Sequence, residues 1–495
     1  MAGAEEKWQR ARLIPVTGLA GTDEQERRGT SVLLSVLGAV REFGRAITMR
    51  LGAPAGSIEC FIEVEFVLGD RKVRPDGLIR VIGRGNRTWT ALVEVKTGRN
   101  HLRADQVEDY LEVARLRDYD AVITISTQLA HRPGVHPLVV DRRKTRKVAL
   151  HHLSWSEIHT EALIEQLNHS VSDPDQAWVL AEFIRYLEEP KSGALEFVDM
   201  GENWTTVRDS VVNRTVRPSD PAAREIVRRF DQLVSYAGMH LSQHLGVLVR
   251  TGVTRRDLED PAAGLDAQVA ELVATGRLIG TLVVPDAIAP FEVVADLRAS
   301  KVLCRLTVAA PKSRKTARGQ VGWLSGQLDD PPGELFVQAT TLYARHPGPV
   351  CPFEKVAEDP MVLLDGAKTE LRELSLTLIR PAGAKRGRGQ GCFIDSVIKL
   401  VEEFYGQVVQ ELKPALPPAP KVKPGQEAGE QGSDQVLADL LTEAPDREAV
   451  PSDGAAGPST RVADFSVPAL PALGSTTTEQ ESPITGSSAL PSAAR

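Results

Sequence analysis

Within the stretch VRPDGLIRVIGRGNRTWTALVEVKTG (73–98), Asp76, Glu94 and Lys96 interrupt runs that otherwise read as strands built for a core. A buried carboxylate is costly unless a partner neutralises it, so these charges call for a chemical reason. If the five residues Gly83 to Arg87 form the loop, Ile82 faces Thr88, and counting inward puts Asp76 opposite Glu94. Glu94 and Lys96 are two apart and share that face, because strand side chains alternate. A two-residue turn at Gly69-Asp70 sets Glu63 opposite Asp76 and Glu65 opposite Arg74 by the same count. One face would then carry Glu63, Glu65, Arg74, Asp76, Glu94 and Lys96. Carboxylates packed this closely raise one another's pKa, and a cation among them relieves the repulsion. Hard oxygen ligands select Mg2+ or Mn2+. Such a metal beside a lysine suits phosphodiester hydrolysis: it polarises the phosphate and acidifies a bound water, while Lys96 orients that water or stabilises the developing charge. Taken one at a time, each residue would read as a solvated member of an ion pair such as Glu65 with Arg74; taken together they favour the metal site.

The elements that must position these residues follow from pattern. Residues 22–48 open on a cap candidate, Thr22, and carry apolar residues at helical spacing (Val32, Leu33, Val36, Leu37, Val40), which predicts one helix. SIECFIEVEFVLGDRKVRPDGLIRVI reads as two strands around the Gly69-Asp70 turn, and TWTALVEVK as a third. A helix over 102–117 and a strand over 120–127 complete an α-β-β-β-α-β order, the last strand being reached by a helical crossover. Residues 153–235 are predicted as a helical extension. Residues 236–412 read as a second, α+β domain with strands at FEVVADL, KVLCRLTVAA and ELFVQATTLYA and a helix at TARGQVGWLSGQL. The Pro/Ala/Ser-rich acidic stretch 413–495 reads as a disordered tail, in which 433–444 has the pattern of a short helix.

Composition narrows the classes. With 42% hydrophobic and 25% charged residues among 495, the chain has the balance of a soluble multi-domain protein. No run is long enough for a membrane span, and the charged beginning does not resemble a secretory signal, so a cytoplasmic location is expected. The four cysteines lack metal-ligand or disulfide spacing, and the histidines, His151-His152 included, read as structural. Residues 1–150 hold 25 Lys+Arg against 19 Asp+Glu, a balance of +6; the whole chain is −7, so the remainder totals −13. A basic first domain suits a polyanionic partner. The run DRRKTRK (141–147), with Arg142, Arg143 and Lys144, can track a phosphate backbone or stand as a solvated loop. No Walker A motif or HEXXH pair is present, which argues against ATP-driven translocation within this chain.

Pro75-Asp76 and Glu94-Val95-Lys96, on the second and third strands of an αβββαβ core, resemble the PD-(D/E)xK nuclease superfamily with its restriction-endonuclease-like fold. The resemblance covers about residues 20–130. It implies that Asp76 and Glu94 are metal ligands, that the Val95 carbonyl can add another, and that Lys96 is the catalytic lysine. Glu26, with Glu24 an equal candidate, matches an acidic residue that many members place near the metal. Gln106-Val-Glu-Asp-Tyr110 resembles the QxxxY motif of RecB-type members, which implies DNA contacts from one helix face; packing of that helix on the sheet is the other reading.

The expectation is a domain over 1–152 acting as a Mg2+- or Mn2+-dependent nuclease on nucleic acid, DNA ahead of RNA, in repair or in defence against foreign DNA. Catalytic roles fall to Asp76, Glu94 and Lys96, metal ligation to Asp76, Glu94, Val95, Glu63 and Glu26, and nucleic-acid contacts to Gln106, Tyr110, Arg74, Arg142, Arg143 and Lys144. The second domain or the tail would contact a protein partner, and self-association stays open. The alternative is a catalytically inactive nuclease fold that binds nucleic acid or protein. It has no chemical need for an intact Asp76, Glu94 and Lys96 set.

Overall fold

A computed structural model describes residues 9–10, 22–98, 100–130, 135–168, 171–194, 199–364 and 370–415. The chain divides into a unit spanning Met1–Ala419 and another spanning Pro420–Arg495. All described residues lie in the first, which is mixed α/β. The stretches expected as a tail and as a short helix at 433–444 lie, from residue 416 on, outside the described residues.

The first half is built on a six-stranded sheet. Its elements are β1 (Gln9–Arg10), α1 (Thr22–Ala39), α2 (Arg41–Arg50), β2 (Gly56–Ile62), β3 (Phe66–Leu68), β4 (Arg71–Val73), β5 (Gly77–Gly83), β6 (Thr88–Val95), α3 (Ala104–Arg117), β7 (Ala121–Ser126) and β8 (Ala149–Ser154). The sheet order is β1-β2-β5-β6-β7-β8, antiparallel through β6 and parallel at β6-β7-β8. The register is the one the loop lengths predict: Ile82 pairs with Thr88 across β5-β6, and Ile62 with Gly77 across β2-β5. β6 is buried from Trp89 to Val95, as a central strand covered on both faces must be.

Three expectations are corrected. The helix predicted over 22–48 is two, because Val40 takes an extended conformation (φ −98°, ψ 98°), and this bend keeps Val36 and Val40 on one side and Phe43 and Ile47 on the other within the same core. The first long strand breaks at Glu63, whose φ is +54°, and β3-β4 form a separate two-stranded sheet around the Gly69-Asp70 turn. Glu65 therefore leaves the predicted face; it stands half-exposed and pairs with Lys72 at 2.9 Å, while Arg74 pairs with Glu63 at 2.7 Å. The strand β8 was not legible in ALHHLS and extends the sheet beyond β7.

The helices α4 (Trp155–Leu167) and α5 (Pro174–Glu188) follow. α4 starts at a capping box in which the Ser154 hydroxyl accepts from the Glu157 N–H and Glu157 accepts from the Ser154 N–H. Residues 153–235, expected as one helical extension, are shared between two cores: Trp155 to Ala194 pack with the six-stranded sheet, whereas α6 (Trp204–Val212) and α7 (Pro221–Leu245) pack with a second sheet. That second sheet has seven antiparallel strands, β9 (Arg250–Thr251), β10 (Arg277–Val283), β11 (Phe291–Asp296), β12 (Lys301–Ala309), β13 (Leu335–Thr341), β14 (Val350–Pro352) and β15 (Leu371–Pro381), in the order β14-β13-β15-β12-β11-β10-β9. The helices α8 (Arg255–Glu259), α9 (Pro261–Thr275), α10 (Ala317–Ser325), α11 (Phe353–Glu358) and α12 (Phe393–Phe404) accompany it. Among the described residues no helix is long and apolar enough to cross a membrane.

Candidate active site

The site forms where the β5-β6 ladder ends. Backbone pairing stops at Gly77 with Val93, and beyond it the Val95 N–H donates to Asp76 Oδ2 at 2.8 Å. Pro75 has no N–H to continue a ladder, so a carboxylate takes over where the strand backbone stops. Gly77 is forced by proximity: a Cβ there would lie 2.4 Å from Leu34 Cδ1 of α1 and 3.0 Å from the Phe61 carbonyl oxygen.

Around Asp76 the predicted charges converge. Lys96 Nζ lies 2.7 Å from Glu94 Oε1 and 3.0 Å from Glu26 Oε2, and it donates to the Val95 carbonyl at 3.2 Å. Glu94 is 1% exposed, Lys96 14% and Glu26 15%. Glu94 is closed off from solvent, with the Lys96 ammonium against Oε1 and the Tyr110 hydroxyl beside the carboxylate. Burial and then the Glu94 carboxylate push the Asp76 carboxyl well above its ordinary range, against the opposing pull of Lys96. Burial alone pulls the Lys96 ammonium down; the Glu94 and Asp76 charges, with the bond to Glu26, reverse that and hold it above its usual value. Glu24 instead pairs with Arg28 on the surface of α1, so of the two acidic candidates it is Glu26 that reaches the cluster.

Three carboxyl groups (Asp76, Glu94, Glu26) surround one ammonium, and a cation bound there would favour the ionised form of the raised Asp76 carboxyl. A clustered set of carboxylate oxygens is the hard donor set that Mg2+ or Mn2+ takes, so the residues present fit such an ion. Asp76 and Glu94 could hold such an ion, with the Val95 carbonyl beside them. Glu63 is held to the rim by Arg74; the Glu63 N–H donates to the Asp76 carbonyl at 3.2 Å while its carboxylate faces Arg74. Arg27, Thr30, Ser31, Arg74 and Asp76 line a cleft of about 120 Å³.

No family model, curated protein or solved structure matches this chain.

Several residues that sequence reasoning did not single out hold the cluster in place. Asn100 Nδ2 donates to Glu26 Oε1, and the indole N–H of the fully buried Trp155 donates to the Lys96 carbonyl at 2.9 Å. The segment after α5 closes over the end of β6, with Gly98 N–H bonded to the Gly193 carbonyl and Gln25 Nε2 to the Lys191 carbonyl. Gln106 and Tyr110 turn inward: Gln106 Nε2 donates to the Tyr110 hydroxyl at 2.7 Å, which donates to the Arg74 carbonyl at 3.2 Å. Tyr110 is buried, and burial with the nearby Glu94 charge pushes its hydroxyl up. These contacts support the Arg74-Pro75-Asp76 turn, which is the packing reading of that pair. Arg142 and Arg143 are exposed on a loop that Lys144 ties to α3 through Glu108 at 2.9 Å.

Next to Glu94 in the sheet stand Thr124 and His152, paired in register across β6-β7-β8. Thr124 Oγ1 lies 2.8 Å from His136 Nε2 and 2.9 Å from His152 Nδ1, and His152 Nε2 lies 2.8 Å from the Gln128 carbonyl. The Leu138 N–H donates to His136 Nδ1. These partners assign a chain of donors running from His136 Nε2–H to Thr124, from Thr124 to His152 Nδ1, and from His152 Nε2–H to Gln128. Both rings are neutral in it, and burial brings each down to about 4. The histidines behave structurally here, as expected. At a second place two histidines gather with a carboxylate: His240 and His244, four apart on α7, meet Glu402 of α12.

Proposed function

We propose that this chain is a Mg2+-dependent nuclease acting on DNA, with its active site in a restriction-endonuclease-like αβββαβ core of the PD-(D/E)xK kind. The observation that carries the reading is the convergence of three carboxyl groups, Asp76, Glu94 and Glu26, on the single ammonium of Lys96, with Glu94 closed off from solvent. The α1, β2, β5, β6, α3, β7 order and the register that sets Asp76 beside Glu94 support it. A bound divalent ion would polarise the phosphate and lower the pKa of a water. Asp76 and Glu94 would hold that ion. Lys96, fixed by Glu26 and Glu94, would donate toward the developing phosphorane charge. Glu26 and Asn100 orient the lysine, and Tyr110 holds the turn that presents Asp76. Arg27 and Arg74 at the cleft, and Arg142 and Arg143 on the neighbouring loop, supply positive charge for a phosphate backbone. Repair or defence against foreign DNA would be fitting contexts. An inactive binding module explains less, since it has no use for a buried ammonium clamped between two carboxylates.

The test is cleavage of labelled single-stranded DNA, duplex DNA and RNA by purified protein in Mg2+, Mn2+ or EDTA, with Asp76→Asn and Lys96→Ala in parallel. Metal-dependent DNA cleavage lost in both variants supports the proposal. Wild type as inactive as the variants on every substrate overturns it.

A further inference from the structure

We propose that His240, His244 and Glu402 form a second metal site, for zinc or a similar borderline divalent ion, which clamps α7 to α12. His240 and His244 are one turn apart on α7 and so share a face, and Glu402 reaches them from α12. Glu402 Oε1 lies 2.7 Å from His240 Nδ1 and 3.5 Å from His244 Nε2, and one ligand atom from each residue lies within 4.8 Å of the others. The two rings have centroids 5.2 Å apart. His240 Nδ1 is shut off from solvent, yet its close approach to Glu402 does not form a hydrogen bond. In a ring whose Nδ1 carries no proton, two electron-pair donors face each other, and a cation serving both accounts for the approach.

The donor set decides the class of ion. Two imidazole nitrogens and one carboxylate suit Zn2+, Co2+, Ni2+ or Cu2+ in a three-ligand site with a further position open. Mg2+ and Ca2+ prefer oxygen and are poorly served here, so this chemistry is the opposite of that at Asp76. The helix positions are rigid: Ala237 and Leu241 around the histidines, and Val401 and Phe404 around Glu402, are buried in one core. His244 is 63% exposed, so the open position faces solvent and takes water or an incoming ligand.

The test uses the full chain, stripped by chelator, then titrated with Zn2+ by calorimetry and with Co2+ by visible absorption, in excess Mg2+ throughout. Expected is a site holding one Zn2+ per chain that excess Mg2+ does not displace and that Asp76→Asn leaves unchanged. In His240→Ala/His244→Ala the Kd should rise at least about 100-fold, and in Glu402→Gln, which keeps the side-chain shape should the double variant fail to fold, about tenfold or more. A wild type with no Zn2+ affinity tighter than about 1 mM overturns the site. So does Zn2+ binding that follows Asp76 and is undiminished when the histidines or Glu402 are changed.

Discussion

Replacing Lys96 by methionine removes the one ammonium that, among the described residues, touches Glu94 and Glu26, while keeping most of the side chain's volume. At an effective dielectric of about 20, its contacts at 2.7 and 3.0 Å each carry about 6 kcal/mol of Coulomb attraction. Desolvation of the three groups offsets much of that, but removing one member of a buried pair leaves its partner's charge uncompensated and costs about 3–5 kcal/mol. Glu94, at 1% exposure, has no water to turn to. Urea unfolding in EDTA, followed by far-UV circular dichroism, should show a loss of that size for Lys96→Met. The same change in a Glu94→Gln background should cost at least about 1.5 kcal/mol less, since the orphaned charge is gone. A loss below about 1 kcal/mol, or additive effects in the two backgrounds, would refute the idea that the lysine neutralises a buried carboxylate.

Four further outcomes are expected. Tyr110→Phe leaves the Arg74 carbonyl and Gln106 without a partner, which should cost about 1–3 kcal/mol and slow cleavage, read by unfolding and by initial rates. Gly77→Ala puts a methyl against the buried Leu34 and should destabilise by about 1–3 kcal/mol; an unchanged midpoint would contradict the packing described. Glu26→Gln should lower cleavage far more than Glu24→Gln, because only Glu26 binds Lys96. His136 and His152 titrate near 6.5 when unfolded and near about 4 when folded, so between those values the unfolded chain takes up protons that the fold refuses. Their contribution therefore lowers stability as pH falls through that window, and NMR of the two rings should show them still neutral at about pH 5.5.

Much of the site was legible because two loop lengths fix the register. The Gly83–Arg87 connection and the Gly69-Asp70 turn place Asp76 between Glu63 and Glu94 by counting alone, and the ladders have that count. What counting cannot reveal is a residue leaving the extended conformation. Glu63 at positive φ carries no signature of glycine or asparagine, so the departure of Glu65 from the shared face was hidden. Val40 bends a helix whose apolar spacing runs on unbroken, and β8 takes its place by parallel pairing with β7, a long-range relation that its weak alternation does not announce. Trp155 and Asn100 act through a carbonyl and a carboxylate brought near by the chain's path, a relation that no local pattern encodes. For the second cluster, His240 and His244 stand four apart in the sequence but were read as structural, and Glu402 joins them only when α12 packs on α7.

The most direct measurement is the rate of duplex DNA cleavage by wild type, Asp76→Asn and Glu94→Gln over a Mg2+ titration, with binding of Mn2+ followed on the same samples. Cleavage that rises with Mg2+ in wild type and vanishes in both variants, with Mn2+ binding weakened in each, is the predicted result. Equal cleavage by all three proteins, or Mn2+ binding indifferent to both carboxylates, would contradict a metal-dependent nuclease centred on Asp76 and Glu94.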